Sequence, residues 1–178
     1  MNHDGEKSRR VLKTSEPRPK LNHLEVHKIL AAIDDSDVSG LRDRALIALL
    51  FYNHLRLGSG LRMQPEDVFW QNERPYLRVF VRKGGDREHE IIVPCFPEAY
   101  AALIDYVEKA LFPSELRGPL FRTVDQRTGN VTGDSLSART AHFSINQHAH
   151  RAGIEREISP HEFRAAGAVL LKEQCGLP

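Results

Sequence analysis

Cysteine is scarce in this chain: the two present among 178 residues, Cys95 and Cys175, stand far apart and form no Cys-x-x-Cys pair. That spacing argues against a disulfide framework and against a zinc site, and both thiols are expected to be reduced and buried. Long apolar runs are missing as well. No stretch approaches the ~20 uninterrupted apolar residues of a membrane helix, and the first twenty residues lack the apolar region of a secretory signal. A soluble, cytoplasmic protein with no membrane partner is therefore expected. Charge of one sign is lacking too, since 25 Lys and Arg against 24 Asp and Glu leave a formal net charge of +1. This is not the balance of a strongly basic nucleic-acid binder, so any surface for DNA has to be a local patch. No internal repeat is visible.

What is present is enough hydrophobic material, 40% of the chain, for one sizeable core. Residues 1–20 read as a flexible basic arm, with Lys7, Arg9, Arg10, Lys13, Arg18 and Lys20 against Asp4, Glu6 and Glu16. A solvated tail and a DNA-contacting arm are both open readings of it. Residues 21–178 make the domain. Asn22 with Glu25 has the capping-box spacing and opens a helix that ends near Asp34. A second, mostly buried helix is expected from Leu41 to about Arg56, ended or bent at Leu57-Gly58-Ser59-Gly60. Leu77, Val79 and Val81 alternate with Arg78, Phe80 and Arg82 as in a strand. Lys83-Gly84-Gly85-Asp86 then supplies a tight turn, and Ile91, Ile92 and Val93 return to Pro94. Pro97 opens a helix that stops before Pro113, residues 113–133 read as a connecting loop, and Asp134 or Ser135 caps a helix running to Ala152, with Gly153 as its stop. The last helix has the clearest start, with Ser159 as cap, Pro160 as first helical residue and Glu162 as capping-box partner. The expected fold class is mainly α with a small antiparallel β-hairpin, an α+β domain.

His161-Glu162-Phe163-Arg164 sets a histidine and an arginine three apart, neighbours on one helical face, so both can address one anion. A phosphodiester under attack gains charge on its non-bridging oxygens. A guanidinium meets two of those oxygens with paired donors, and an imidazole adds a third donor or a proton relay. Alone, the pair reads more simply as a surface helix turn. Arg56 has a bland counterpart as well, capping carbonyls at a helix end, and Lys83 reads equally as a solvated turn residue. His142, His148 and His150 do not make a metal site, because residues two apart on a helix face different sides.

Taken in order, Arg56, Lys83, His161 and Arg164 resemble the active-site set of the tyrosine recombinases, or phage integrases. The resemblance runs from about Pro19 to the end. It includes Leu41-Arg42-Asp43-Arg44-Ala45-Leu46, the hairpin closed by Ile92-Val93-Pro94, and Arg151-Ala152-Gly153-Ile154 leading to Ile158-Ser159-Pro160-His161. It implies an integrase-type catalytic domain that acts on double-stranded DNA without a cofactor or metal. Arg56 and Arg164 would clamp the scissile phosphate, Lys83 would act as general acid on the leaving 5′-oxygen, and His161 would assist proton transfer. Arg82, Arg87, Arg139 and Arg151 are the further candidates for DNA contact, with a solvated face as the alternative for Arg139 and Arg151.

The match departs from the family pattern at several points. The family's nucleophilic tyrosine lies well downstream of the second arginine, whereas only Ala165 to Pro178 follow Arg164 and none of them is a tyrosine. Tyr52, Tyr76, Tyr100 and Tyr106 fall in segments assigned to scaffold. Ser59 stands where the family usually has an acid that orients the first arginine, and Ala165 where it usually has a second histidine. Only about twenty residues precede the first helix, so a counterpart to the separate amino-terminal DNA-gripping domain of most integrases is not expected in this sequence. The resemblance thus implies a domain truncated before its nucleophile, which binds DNA but does not cleave it alone. Its alternative is a non-catalytic regulatory or protein-interaction remnant that docks onto a full-length recombinase through Ala168-Val169-Leu170-Leu171. A full-length recombinase or a homo-oligomer on DNA is the further partner expected.

Overall fold

The computed structural model describes residues 20–82, 88–110 and 117–176. Residues 1–19 of the basic arm, Lys83 with its glycine turn, and Arg87 lie outside the described residues. Helix α1, His23–Ala32, starts where the capping box closes. Asn22 Oδ1 accepts from Glu25 N at 2.9 Å, and Glu25 Oε2 accepts from Asn22 N at 3.1 Å.

Helix α2, Val38–Tyr52, begins before the expected Leu41, because Asp37 caps it by accepting from Gly40 N at 2.7 Å. Gly40 sits inside the first turn, where a Cβ would lie 1.7 Å from the Asp34 carbonyl oxygen. Only glycine lets the chain from α1 pass so closely. From Leu41 to Phe51 almost every side chain of α2 is buried, so α2 forms the centre of the core. It also stops earlier than expected, at Tyr52. His54 takes a left-handed φ of 52°, and Arg56 becomes the cap of a new short helix, α3, Leu57–Leu61.

The expected hairpin is present as β2, Arg74–Arg82, and β3, Glu88–Pro94, paired from Arg82 with Glu88 to Tyr76 with Pro94. Strand β1, Val68–Gln71, adds a third antiparallel strand, giving the order β1-β2-β3. Its turn to β2 is Asn72–Glu73, both left-handed at φ 49° and 60°, as a type I′ turn requires. Helix α4, Pro97–Ala110, packs on α2 and buries Ala99, Ala102, Leu103 and Tyr106. Part of the expected loop is a second small antiparallel sheet, β4, Arg122–Val124, with β5, Val131–Ser135.

Helix α5, Ala138–Arg151, starts later than Asp134 or Ser135 would set, since Ser137 Oγ accepts from Thr140 N at 3.0 Å. Gly153, at φ 80°, follows its end. Helix α6, Pro160–Gln174, starts as expected, with Ser159 N donating to Glu162 Oε1 at 2.9 Å. The architecture is the α+β class expected, helices with small antiparallel sheets. Cys95 is buried, whereas Cys175, past the end of α6, is exposed, against the expectation for it. No helix among the described residues is long and apolar enough to cross a membrane.

Candidate active site

The site depends on how α6 meets α2. A Cβ on Gly167 would lie 1.9 Å from the Phe51 carbonyl oxygen and 3.0 Å from His54 Cδ2, so the backbone of α6 rests directly on the last turn of α2. Arg164 is three residues before Gly167 on the same helical face, and Arg56 is two residues past His54. The crossing therefore brings together the two chain segments that carry Arg56 and Arg164. Phe163 and Ala166, both buried, seat α6, while Glu162 Oε2 accepts from Leu21 N at 3.4 Å.

His161 is exposed in the first turn of α6 and Arg164 is half-buried. The positive dipole end of that turn favours an anion, and the capping carboxylate of Glu162 already meets part of it. Arg56 is exposed, and its carbonyl accepts Ser59 N and Gly60 N at 3.0 Å each. Ser59 is buried and gives its hydroxyl to the Phe80 carbonyl at 3.0 Å, so it ties α3 to β2. The hairpin that carries Lys83 is anchored by the Arg82–Glu88 pair, while Lys83 itself and Arg87 lie outside the described residues.

Two of the remaining DNA candidates, Arg139 and Arg151, lie on α5 and line different clefts that meet at Phe143. Arg139, in the first turn of α5, lines an open cleft of about 470 Å³ with His142, Phe143, His150 and Arg156. Arg151, at the other end of α5, lines a different cleft with Asp34 and Asp37. Asp34 is held below the usual carboxylate range, first by hydrogen bonds from Ser36 and in part by the positive charge of Arg151. The exposed face of α5 between them carries Phe143 and Gln147.

A buried ionic cluster was not legible as such in the sequence. Asp43 accepts Arg42 Nε at 2.9 Å and faces His148 Nε2 at 3.1 Å, and Arg42 Nη1 donates to the Arg122 carbonyl at 3.1 Å. All four residues are at least nine-tenths buried. The cluster joins α2, α5 and β4, and it accounts for His148, which points into the core while His150 is exposed.

Tyr76, Tyr100 and Tyr106 are engaged elsewhere, whereas Tyr52 ends α2 beside the crossing of α6. Burial, then the charge of Glu98, pushes Tyr52 above the ordinary phenol range, and burial does the same to Tyr106, whose hydroxyl donates to the Leu120 carbonyl. Tyr100 Oη accepts from Trp70 Nε1 at 2.7 Å, and Tyr76 stacks on Phe69.

Residues 19–178 match the model of the phage integrase family. The chain is 29% identical over 174 residues to the tyrosine recombinase XerD of Listeria innocua serovar 6a, covering 97% of this chain and 56% of that protein. It is 32% identical over 167 residues to XerD of Ralstonia nicotianae, covering 91% and 51%. It thus spans about half the length of these relatives. Among solved structures, XerA recombinase superposes with a TM-score of 0.66 at 22% identity, over 89% of this chain and 51% of that one. Lambda integrase residues 75–356 bound to DNA superposes with a TM-score of 0.62 at 21% identity, over 90% and 53%. At such identities the structures establish the fold, while the family model covers nearly the whole chain. The chain belongs to the phage integrase family of tyrosine recombinases.

Proposed function

We propose that this chain is the DNA-binding part of the catalytic domain of a site-specific tyrosine recombinase, acting in DNA strand breakage and rejoining during integration and recombination. It would hold double-stranded DNA through phosphate contacts, with Arg56 and Arg164 as the clamp, His161 as a further donor and Lys83 as the general acid. The observation that supports this reading is the seating of Gly167, three residues after Arg164, on the Phe51 carbonyl and against His54, two residues before Arg56. Two guanidinium groups and a helix N-terminus supply the charge stabilisation a phosphoryl transition state needs, with no metal required. Arg82, Arg87, Arg139 and Arg151 would add phosphate contacts that position the duplex.

Covalent attack is not expected of this chain by itself. Tyr106 is buried with its hydroxyl on the Leu120 carbonyl, Tyr52 is half-buried at the end of α2, and Tyr76 and Tyr100 lie in the β1-β2-α4 region. The test is covalent capture on a nicked suicide duplex, run with the chain alone and with a form lengthened at its carboxyl end by a tyrosine-bearing segment. An adduct from the lengthened form only is the expected result. An adduct from the chain alone would refute the assignment of its tyrosines to scaffold, and none from either form would remove the enzymatic reading.

A second reading rests on α6, where Val169 is 53% and Leu171 38% exposed. Those exposed apolar side chains would suit a regulatory module docking onto a full-length recombinase or a second copy. Concentration-dependent self-association without duplex binding would favour it, and a monomer that shifts a duplex would remove it.

A further inference from the structure

Strand β1 starts at Val68 opposite Leu77, so beyond that point β2 has β3 on one side and, among the described residues, no strand on the other. A carbonyl on that open edge needs another donor. The Phe80 carbonyl receives two, Ser59 Oγ at 3.0 Å and Arg62 Nη2 at 2.9 Å. Ser59 belongs to α3 and Arg62 is its C-terminal cap residue. Arg62 Nη2 also meets Glu88 Oε1 at 3.3 Å, so its guanidinium spans from β2 to β3. The Ser59 amide in turn donates to the Arg56 carbonyl. A continuous set of links therefore runs from the sheet to the residue that starts α3.

We propose that Ser59 and Arg62 are positioning residues for Arg56. Their shared grip on Phe80 fixes the first turn of α3 against the sheet, and Glu88 is the acid that holds the Arg62 guanidinium in place. The inference rests on the reading of Arg56 as a phosphate ligand. A neutral Ser59 cannot pair with a guanidinium as a carboxylate at that position would. The orienting force reaches Arg56 through the backbone instead, with the acid supplied from β3. Arg62 is 45% exposed in its side chain, so a direct phosphate contact is the rival role that the experiment has to separate.

Duplex binding is measured across a salt series for Arg62→Ala, Arg56→Ala and the double variant. A positioning role predicts that Arg62→Ala weakens binding roughly tenfold in the parent chain. It should have no further effect once Arg56 is alanine, because the group it positions is gone. Losses that add, with the salt slope falling by about 0.9 in both backgrounds, would mark a direct phosphate contact and overturn the proposal. A second readout needs no DNA. Hydrogen exchange at the Ser59 and Gly60 amides, which hold the Arg56 carbonyl, should quicken in Ser59→Ala and in Arg62→Ala while global stability is kept. Unchanged exchange overturns the proposal whatever the DNA result. Faster exchange together with unaltered DNA binding in Arg56→Ala supports the grip and instead refutes Arg56 as the phosphate ligand.

Discussion

Replacing Gly167 by alanine tests whether the crossing of α6 on α2 sets the site. The added methyl would sit 1.9 Å from the Phe51 carbonyl oxygen and 2.9 Å from its carbon. A carbon-to-oxygen contact relaxes at roughly 3.3 Å, so α6 has to retreat by roughly 1.4 Å along that direction. Overpacking of this kind costs about 1–3 kcal/mol. Alanine offsets it in part by its helix preference over glycine, about 1 kcal/mol. The net expectation is a loss of about 0–2 kcal/mol, read as a melting temperature lower by up to roughly 8 °C. Function should suffer more than stability. Arg164 rides on the displaced helix, and loss of its charge-assisted phosphate contact, about 1.5–3 kcal/mol, would weaken duplex binding at least roughly tenfold. The assay is thermal unfolding by circular dichroism beside duplex binding at fixed salt, with Gly133→Ala as control, since nothing lies within 4 Å of a Cβ there. A Gly167→Ala chain that melts at or above the parent temperature and binds DNA equally well would refute the reasoning.

Three further outcomes follow from the core and its charges. Asp43→Ala leaves Arg42 and His148 buried without their shared carboxylate, so urea denaturation should show a loss of about 3–5 kcal/mol. Partial burial raises the Glu25 carboxyl, but hydrogen bonds from Arg156 and the Asn22 amide and the charges of Arg156 and Lys28 outweigh it and hold the group below its ordinary range. Its contribution is present above the unfolded value, about 4.3, and is lost as pH falls through the lower folded value. The acid limb of the stability curve should therefore flatten in Arg156→Ala, whereas an identical limb would contradict the pairing. Burial pushes the Cys95 thiol up to about 12, while Cys175 is exposed, so native alkylation at neutral pH should label Cys175 and spare Cys95 until the chain unfolds.

Much of the fold was legible because it rests on local signals. The capping boxes at Asn22 and Ser159 act within four residues, and the alternation in β2 reflects one face toward the core. The parts that escaped depend on distant contacts or on unusual turn chemistry. Asn72–Glu73 makes a left-handed turn without glycine, so β1 left no turn signature. The end of α2 at Tyr52 is followed by His54 in a left-handed conformation, which a histidine signals far less clearly than a glycine would. Ser137 rather than Asp134 or Ser135 caps α5, a choice among polar neighbours that only packing decides. At the site, residue types in order pointed to Arg56, His161 and Arg164. The contacts that place them, Gly167 on Phe51 and Ser59 with Arg62 on Phe80, join segments far apart in the chain. His148 shows the same limit, since its partner Asp43 is 105 residues away.

The most direct test of the account is the salt dependence of duplex binding by the parent chain, Arg56→Ala and Arg164→Ala. Phosphate contact predicts a linear fall of the logarithm of affinity with the logarithm of salt concentration. Each substitution should weaken binding and lower the slope by about 0.9. Binding that ignores salt, or that neither substitution changes, would contradict the claim that these two arginines grip the DNA backbone.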